Sequence, residues 1–356
     1  MDFSRRDESG RRGGTLVGIG VVAVLSVERL LADCVRDSRT LRLGTVPVSP
    51  AEPGYGEARR AFLSAGLAAL RNEQYGARWV QLNLSPAPGR LPELYAALAA
   101  SARALLADGR ARSFYFMHKE PGLRVRFEAG ECSAAVLRKE VEQRLPEGPL
   151  ALQPVSVRYE PEAYLFGGPQ SMPYVHRLFT ADSLAWLDHH GRCPGPPVLS
   201  TWRLSLLLLR EAFDGLGIVG WEHRGVWEAV QHETGRTAAS VPEADQERHG
   251  RALAGITGYW RLPRRQALAE LPEEERAPLE AQLDAAHEAG EEWRKGYFEA
   301  GSAAVGPRLA AAFHTIFLWN RGRLALSTQR LLTEALAWDA PGGVPRASTA
   351  DSGGLR

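Results

Sequence analysis

The 356 residues are 44% hydrophobic with a formal net charge of +1, enough apolar content for a full core in one large or two intimate domains. So even a balance offers no global field to recruit nucleic acid or an anionic membrane. Cys34, Cys132 and Cys193 form an odd, widely spaced set without a CxxC, which argues against a disulfide framework or zinc site and fits a reducing cytoplasm.

Residues 15–27 (TLVGIGVVAVLSV) are apolar and follow basic residues, as in a signal peptide. The run is too short to span a bilayer, and Glu28 and Arg29 follow it without a small-x-small cleavage site. Its Val and Ile content suits a buried strand leading into a helix over 27–37. Phe62, Leu63, Leu67 and Leu70 predict a helix over 56–75 that packs on the sheet after it. Residues 79–84 alternate and stop at SPAPG, a strand followed by a breaker. A helix over 91–108 comes next, with Gly109 as its stop. Two alternating runs, 113–118 and 123–128, flank Lys119-Glu120-Pro121-Gly122, whose Pro-Gly pair reads as a tight turn. A helix over 134–145 and a strand over 152–159 complete this half.

Strand, helix, strand, strand, helix, strand is the split βαβ order of a ferredoxin-like antiparallel sheet. Beyond Tyr159 the pattern turns helical, over 172–189, 199–213, 221–232, 247–260, 264–294 and 307–338. The expected fold class is α+β, with a C-terminal helical layer covering the sheet. One domain spans 14–338, sheet-rich to about 168; the polar, Gly/Pro-rich ends, 1–13 and 339–356, are expected to be disordered. A ligand cleft between sheet and helices is the natural site.

Arg124 and Arg126 are two apart, so a strand points both guanidiniums at one face. Side by side they repel unless something anionic or strongly accepting faces them. The alternative is a solvated sheet face or a structural salt-bridge pair. The stretch YEPEAYLFGG lies where the last strand gives way to a loop, and reads either as a polar pocket wall or as a solvated loop. Asp182 and Ser183 follow Phe179 and read as a helix cap. His314 and Arg321, seven apart, share one face of a single long helix that also carries Asn320 and, further on, Gln329. A lone helix histidine is more often a satisfied core residue than a proton-transfer group. There is no GxGxxG after a strand, no GxxxxGK[ST], no HExxH and no GxSxG. What remains is a cofactor-free polar pocket acting on an organic or peptide substrate.

An aromatic strand, a PG turn and LRVRF, then YEPEAYLFGG and FTADS, and finally HTIFLWNR together resemble the C-terminal domain of lantibiotic dehydratases, over about residues 79–338. That domain also occurs alone in thiopeptide biosynthesis. The fused form eliminates glutamate from glutamylated Ser/Thr to give dehydroamino acids. The resemblance assigns its motif positions to Arg124, Arg126, Glu162 and His314. The fused pattern, as in YEREIERYGG, also has an arginine before the aromatic-Gly-Gly, where this chain has Leu165, and another where it has Pro161. Losing a guanidinium that would hold the departing carboxylate argues against glutamate elimination.

With this departure, and a size that suits a domain without a glutamylation module, the chain resembles thiopeptide pyridine synthases. These join two dehydroalanines of a thiazole-bearing peptide in a formal [4+2] aza-cycloaddition. Loss of water and of the leader peptide as an amide then leaves a pyridine. The resemblance implies Tyr164 and His314 as proton-transfer groups, and Gln329 and Ser205 as positioners of the reacting amide. Arg124 and Arg126 would bind peptide carbonyls or a developing iminolate oxygen. Glu162, Gly167, Gly168, Asp182, Ser183, Trp202, Asn320 and Arg321 complete the expected binding set. The implied partner is a modified precursor peptide with its leader, with transient contacts to other enzymes of the pathway. The tryptophan-bearing surfaces at 221–227 and 293–294 either hold the leader or pack in the core. A stand-alone glutamyl lyase and a non-catalytic precursor-binding scaffold are the alternatives. An RNA-reading sheet would need exposed aromatics beside basic residues on central strands, and neutral charge with helices over the sheet argues against it.

Overall fold

The structure is a computed structural model describing residues 31–33, 35–36, 61–62, 65–66, 76–87, 89–120, 122–145, 159, 161–192, 199–237, 241–301 and 303–337. The chain divides into two compact units, Met1–Glu73 and Gln74–Arg356, a division that the expected 14–338 span crosses. The described residues of the first unit are helical and fall within the helices expected over 27–37 and 56–75. The expected strand over 15–27 and both chain ends lie outside the described residues.

In the second unit β1 (Trp79–Leu84), α1 (Leu91–Ala107), β2 (Ala111–Lys119), β3 (Gly122–Ala129) and α2 (Ala134–Arg144) follow in the expected order. The three described strands are antiparallel in the order β1-β3-β2, which puts the arginine strand in the middle. The expected fourth strand falls on 152–158, outside the described residues, and Tyr159 itself is not in a strand. The hairpin closes with Lys119 opposite Gly122. Gly122 is required there, because a Cβ would come within 2.0 Å of the Leu84 carbonyl oxygen.

Alternation gives the sheet two characters. Val80, Leu82, Phe114, Phe116, Val125 and Phe127 are all buried, on the face that α1 and α2 pack against. The opposite face carries Trp79, Gln81, Asn83, Tyr115, Met117, Arg124 and Arg126. β2 is an edge strand, and a helix covers that edge: Phe114 N–H donates to Thr180 Oγ1 at 3.0 Å. That helix, α3 (Met172–Gly191), begins the helical layer.

A 3-10 turn, Ala163–Phe166, precedes α3; α4 (Thr201–Gly215), α5 (His223–Thr234) and α6 (Gln246–Arg261) follow it. The single helix expected over 264–294 is instead two. The short α7 (Arg264–Ala267) and α8 (Glu273–Trp293) are separated by a turn ending at Pro272, which has no N–H to continue a helix. The helix expected over 307–338 likewise breaks into α9 (Pro307–Arg321) and α10 (Leu326–Ala337). Here Gly322 lies against the Trp186 ring and Arg323 takes a left-handed φ of 55°. Trp227 and Trp293 are fully buried, so packing accounts for both, whereas Trp221 is exposed.

Candidate functional site

The register explains how the two arginines are held. Arg126 faces Gln81 across β1 and Tyr115 across β2. Its Nε donates to Gln81 Oε1 at 2.8 Å and its Nη1 to Tyr115 Oη at 2.8 Å. The guanidinium carbon lies 5.3 Å from the Tyr115 ring centre and 5.0 Å from that of Tyr159. Arg126 is only 6% exposed, and among the described residues none of its contacts is a carboxylate within ion-pair distance. Arg124, half-buried, donates Nε to Asn83 Oδ1 at 3.3 Å. The face therefore grades from half-open at Asn83, Met117 and Arg124 to closed at Gln81, Tyr115 and Arg126.

Below this wall, Tyr159 Oη and His176 Nε2 are 2.5 Å apart. Burial, then the nearby Arg126 charge, pushes His176 down to about 3. Burial raises the Tyr115 phenol, against the opposing pull of Arg126. Glu162 is half-buried and its charge is felt at Tyr115. Gly167 has φ 89°, and a Cβ there would meet Tyr297 Oη at 2.2 Å. That hydroxyl donates to the Gly167 carbonyl; Gly168 follows with φ 108°.

A second polar cluster sits wholly inside the helical layer. Asp182 lies in the middle of α3 rather than at its start, which corrects the expected cap. Its Oδ2 accepts from Arg321 Nη2 at 2.5 Å and lies 3.6 Å from His314 Nε2. All three residues are at most 1% exposed. The face shared by His314 and Arg321 therefore meets one carboxylate. Burial raises Asp182 to about 6 despite Arg321 and, with help from Arg321, holds His314 well below its ordinary range. The Phe179 ring joins the two clusters, 5.3 Å from Tyr115 and 5.9 Å from His314, with the Arg321 guanidinium 4.4 Å from its centre. His118 and His190 both direct Nε2 to the Arg321 carbonyl oxygen, at 3.0 and 2.9 Å.

The other expected residues lie apart from these clusters. Tyr164 is 76% exposed on the 3-10 turn, whereas His314 is buried, so the two do not share a surface. Gln329 donates to the Leu324 carbonyl and accepts from Arg236, holding the turn between α9 and α10. Ser205 donates to the Trp202 carbonyl one turn earlier in α4. Trp202 lines a cavity of about 570 Å³ with Arg203, Tyr259 and Leu331. Ser183 is buried and Asn320 exposed. Gln81, Asn83, Tyr115 and His176 were missed; the first three are cross-strand neighbours of the arginines, a signal available once the register is known. Among the described residues no group of three or more His, Cys, Asp or Glu could hold a metal ion, and no helix is long and apolar enough to cross a membrane.

Residues 79–335 match the family described as lantibiotic biosynthesis dehydratase C-term. The tRNA-dependent lantibiotic dehydratase MibB from Microbispora sp. 107891 is similar with a TM-score of 0.51 and 19% identity, over 74% of this chain and 28% of that one. This chain thus spans little more than a quarter of MibB, and at that identity the likeness shows the fold alone. TsrL is similar with a TM-score of 0.42 and 15% identity, over 73% of this chain and 93% of that one. Among curated proteins no significant match is found.

Proposed function

The chain belongs to the lantibiotic biosynthesis dehydratase C-terminal family, and on that footing we propose that it modifies a ribosomally made precursor peptide as a pyridine synthase. The reaction is a formal [4+2] aza-cycloaddition between two dehydroalanines of an azole-bearing peptide. One backbone amide tautomerises to an iminol, so that C=C–N=C adds across the second alkene, forming two carbon–carbon bonds at the expense of π bonds and closing a six-membered ring that contains the amide nitrogen. Loss of water and of the leader as an amide then gives the pyridine, with no external oxidant.

One observation carries the reading: the buried Arg126 guanidinium is held by the neutral acceptors Gln81 and Tyr115. A cation fixed this way suits negative charge that develops on a peptide oxygen. Leu165, half-buried against the core where the glutamate-eliminating pattern has arginine, removes a partner for a departing carboxylate. Arg124 and Asn83 at the more open end would take further peptide carbonyls. Orientation of two alkenes on such a wall can supply up to about 7–11 kcal/mol of barrier reduction.

Arg126, with no carboxylate within ion-pair distance among the described residues, would also accept a glutamate side chain, so the lyase remains the second reading. Mass spectrometry of a linear azole peptide carrying two dehydroalanines separates them. Release of the leader amide with a pyridine product is the expected result. Turnover only of a glutamylated Ser peptide would make the protein a lyase. Leader binding without any mass change would make it a scaffold.

A further inference from the structure

Trp202 lies apart from both polar clusters, on a groove where α4, α6 and α10 meet. Its volume of about 570 Å³ falls within the roughly 300–1,000 Å³ usual for ligand clefts. Two hydrogen bonds pin α6 to α10 beside it. Thr257 Oγ1 donates to the Ala335 carbonyl at 3.2 Å, and His249 Nε2 meets Glu334 Oε1 at 3.0 Å. Ile256, Leu331 and Leu332 supply apolar lining. Gly255 and Gly258 of α6 also line the groove, and a Cβ added at either would meet nothing within 4 Å. Glycine weakens a helix interior, and no described neighbour demands it at either position.

Among the lining residues only Arg203 is charged. Its guanidinium carbon lies 5.4 Å from the ring centres of both Trp202 and Tyr259. Among the described residues no carboxylate lies within ion-pair distance of it. A guanidinium backed by two rings keeps its planar fork of donors for a carboxylate. Tyr259 Oη is buried and has no hydrogen-bond partner among the described residues.

We propose that this groove docks a short peptide segment that is both apolar and acidic. Leucine-like side chains would lie against Ile256, Leu331 and Leu332, a carboxylate would sit on Arg203, and a backbone carbonyl would accept from Tyr259 Oη. Charge complementarity selects this occupant. A basic segment would meet Arg203 with like charge, and a nucleic-acid backbone needs several cations where the lining offers one. On the proposed function, and resting on that reading, the segment belongs to the precursor peptide that the protein modifies.

Isothermal titration calorimetry of the full chain with a synthetic peptide of repeated Leu-Leu-Glu-Glu reads the groove without any reaction. The expected result is micromolar binding, at least tenfold tighter than that of the Leu-Leu-Lys-Lys counterpart. Arg203→Glu should reverse that order. Gly255→Trp, which fills the groove from an open position, should weaken the acidic peptide at least tenfold. Equal binding of the two peptides, unchanged affinity in both variants, or no binding to the unmodified protein would overturn the proposal. A dimer in sedimentation velocity that Gly255→Trp dissolves would give the groove to a second copy of this chain, and would overturn it too. If the acidic peptide binds as expected while the bis-dehydroalanine azole peptide is left unchanged, the proposed reaction fails and the docking groove stands. Near-UV circular dichroism confirms that each variant is folded.

Discussion

Two buried arginines, one in the sheet and one in the helical layer, are held in opposite ways. Arg321 is fully buried and meets a carboxylate, Asp182, at 2.5 Å; its carbonyl oxygen also takes bonds from two histidines. Arg126 is nearly as buried, yet it rests on an amide and a phenol. The first charge is cancelled within the fold. The second is fixed in place and left positive, the arrangement expected of a group that acts on something outside the chain. Burial alone therefore does not mark a site; the chemistry of the partner does.

The largest expected effect of breaking this contrast is on the helical layer. Asp182→Ala strands a buried guanidinium and should cost about 3–5 kcal/mol, measured by urea unfolding. Asp182→Leu combined with Arg321→Met should recover much of that, because removing both charges removes the unpaired one. Arg126→Met should cost less, about 1–3 kcal/mol, because it leaves the buried Gln81 and Tyr115 oxygens without their donor but strands no charge.

Acid should act where the helical layer meets the sheet. His118 and His189 are each held at about 4, and His190 is also lowered, all chiefly by burial. For each, the unfolded chain binds a proton more readily than the fold between the ordinary value of 6.5 and the lowered one. Stability is therefore full above pH 6.5 and falls as pH drops towards 4, by up to about 1.4 kcal/mol per pH unit per histidine. Asp182, raised to about 6, works the other way, favouring the fold below that pH, as do Glu128, Glu211 and Asp214, also raised by burial; His176 and His314, lowered by burial, add to the histidine side. Thermal melts from pH 7 to 4 should show a falling midpoint.

Gly167→Ala should cost about 1–3 kcal/mol through its left-handed φ and the Tyr297 hydroxyl. The smallest effect belongs to Arg124. It is half-buried with a single 3.3 Å bond to Asn83, so Arg124→Met should leave stability within about 0.5 kcal/mol. On the bis-dehydroalanine peptide it should mainly raise KM.

Much of this was legible in the chain itself. Alternation at 79–84 and on both sides of Lys119–Gly122 gave the strands, and the i, i+2 spacing of Arg124 and Arg126 put them on one face. The seven-residue spacing of His314 and Arg321 put both on one helix face. The partners were not legible, because Gln81 and Tyr115 meet Arg126 only through a strand register that no local pattern states. Asp182 read as a cap because Asp-Ser pairs favour helix starts, whereas a distant Arg321 claims its carboxylate. The breaks at Pro272 and at Gly322–Arg323 were hidden by apolar periodicity that continues across them.

The difference between the two arginines reduces to one comparison of rates. Turnover of the linear bis-dehydroalanine azole peptide, followed by mass spectrometry, should fall by about 10²–10³-fold in folded Arg126→Met. An unchanged rate in that folded variant would mean that the positive charge on the sheet does no chemistry, and would contradict the account.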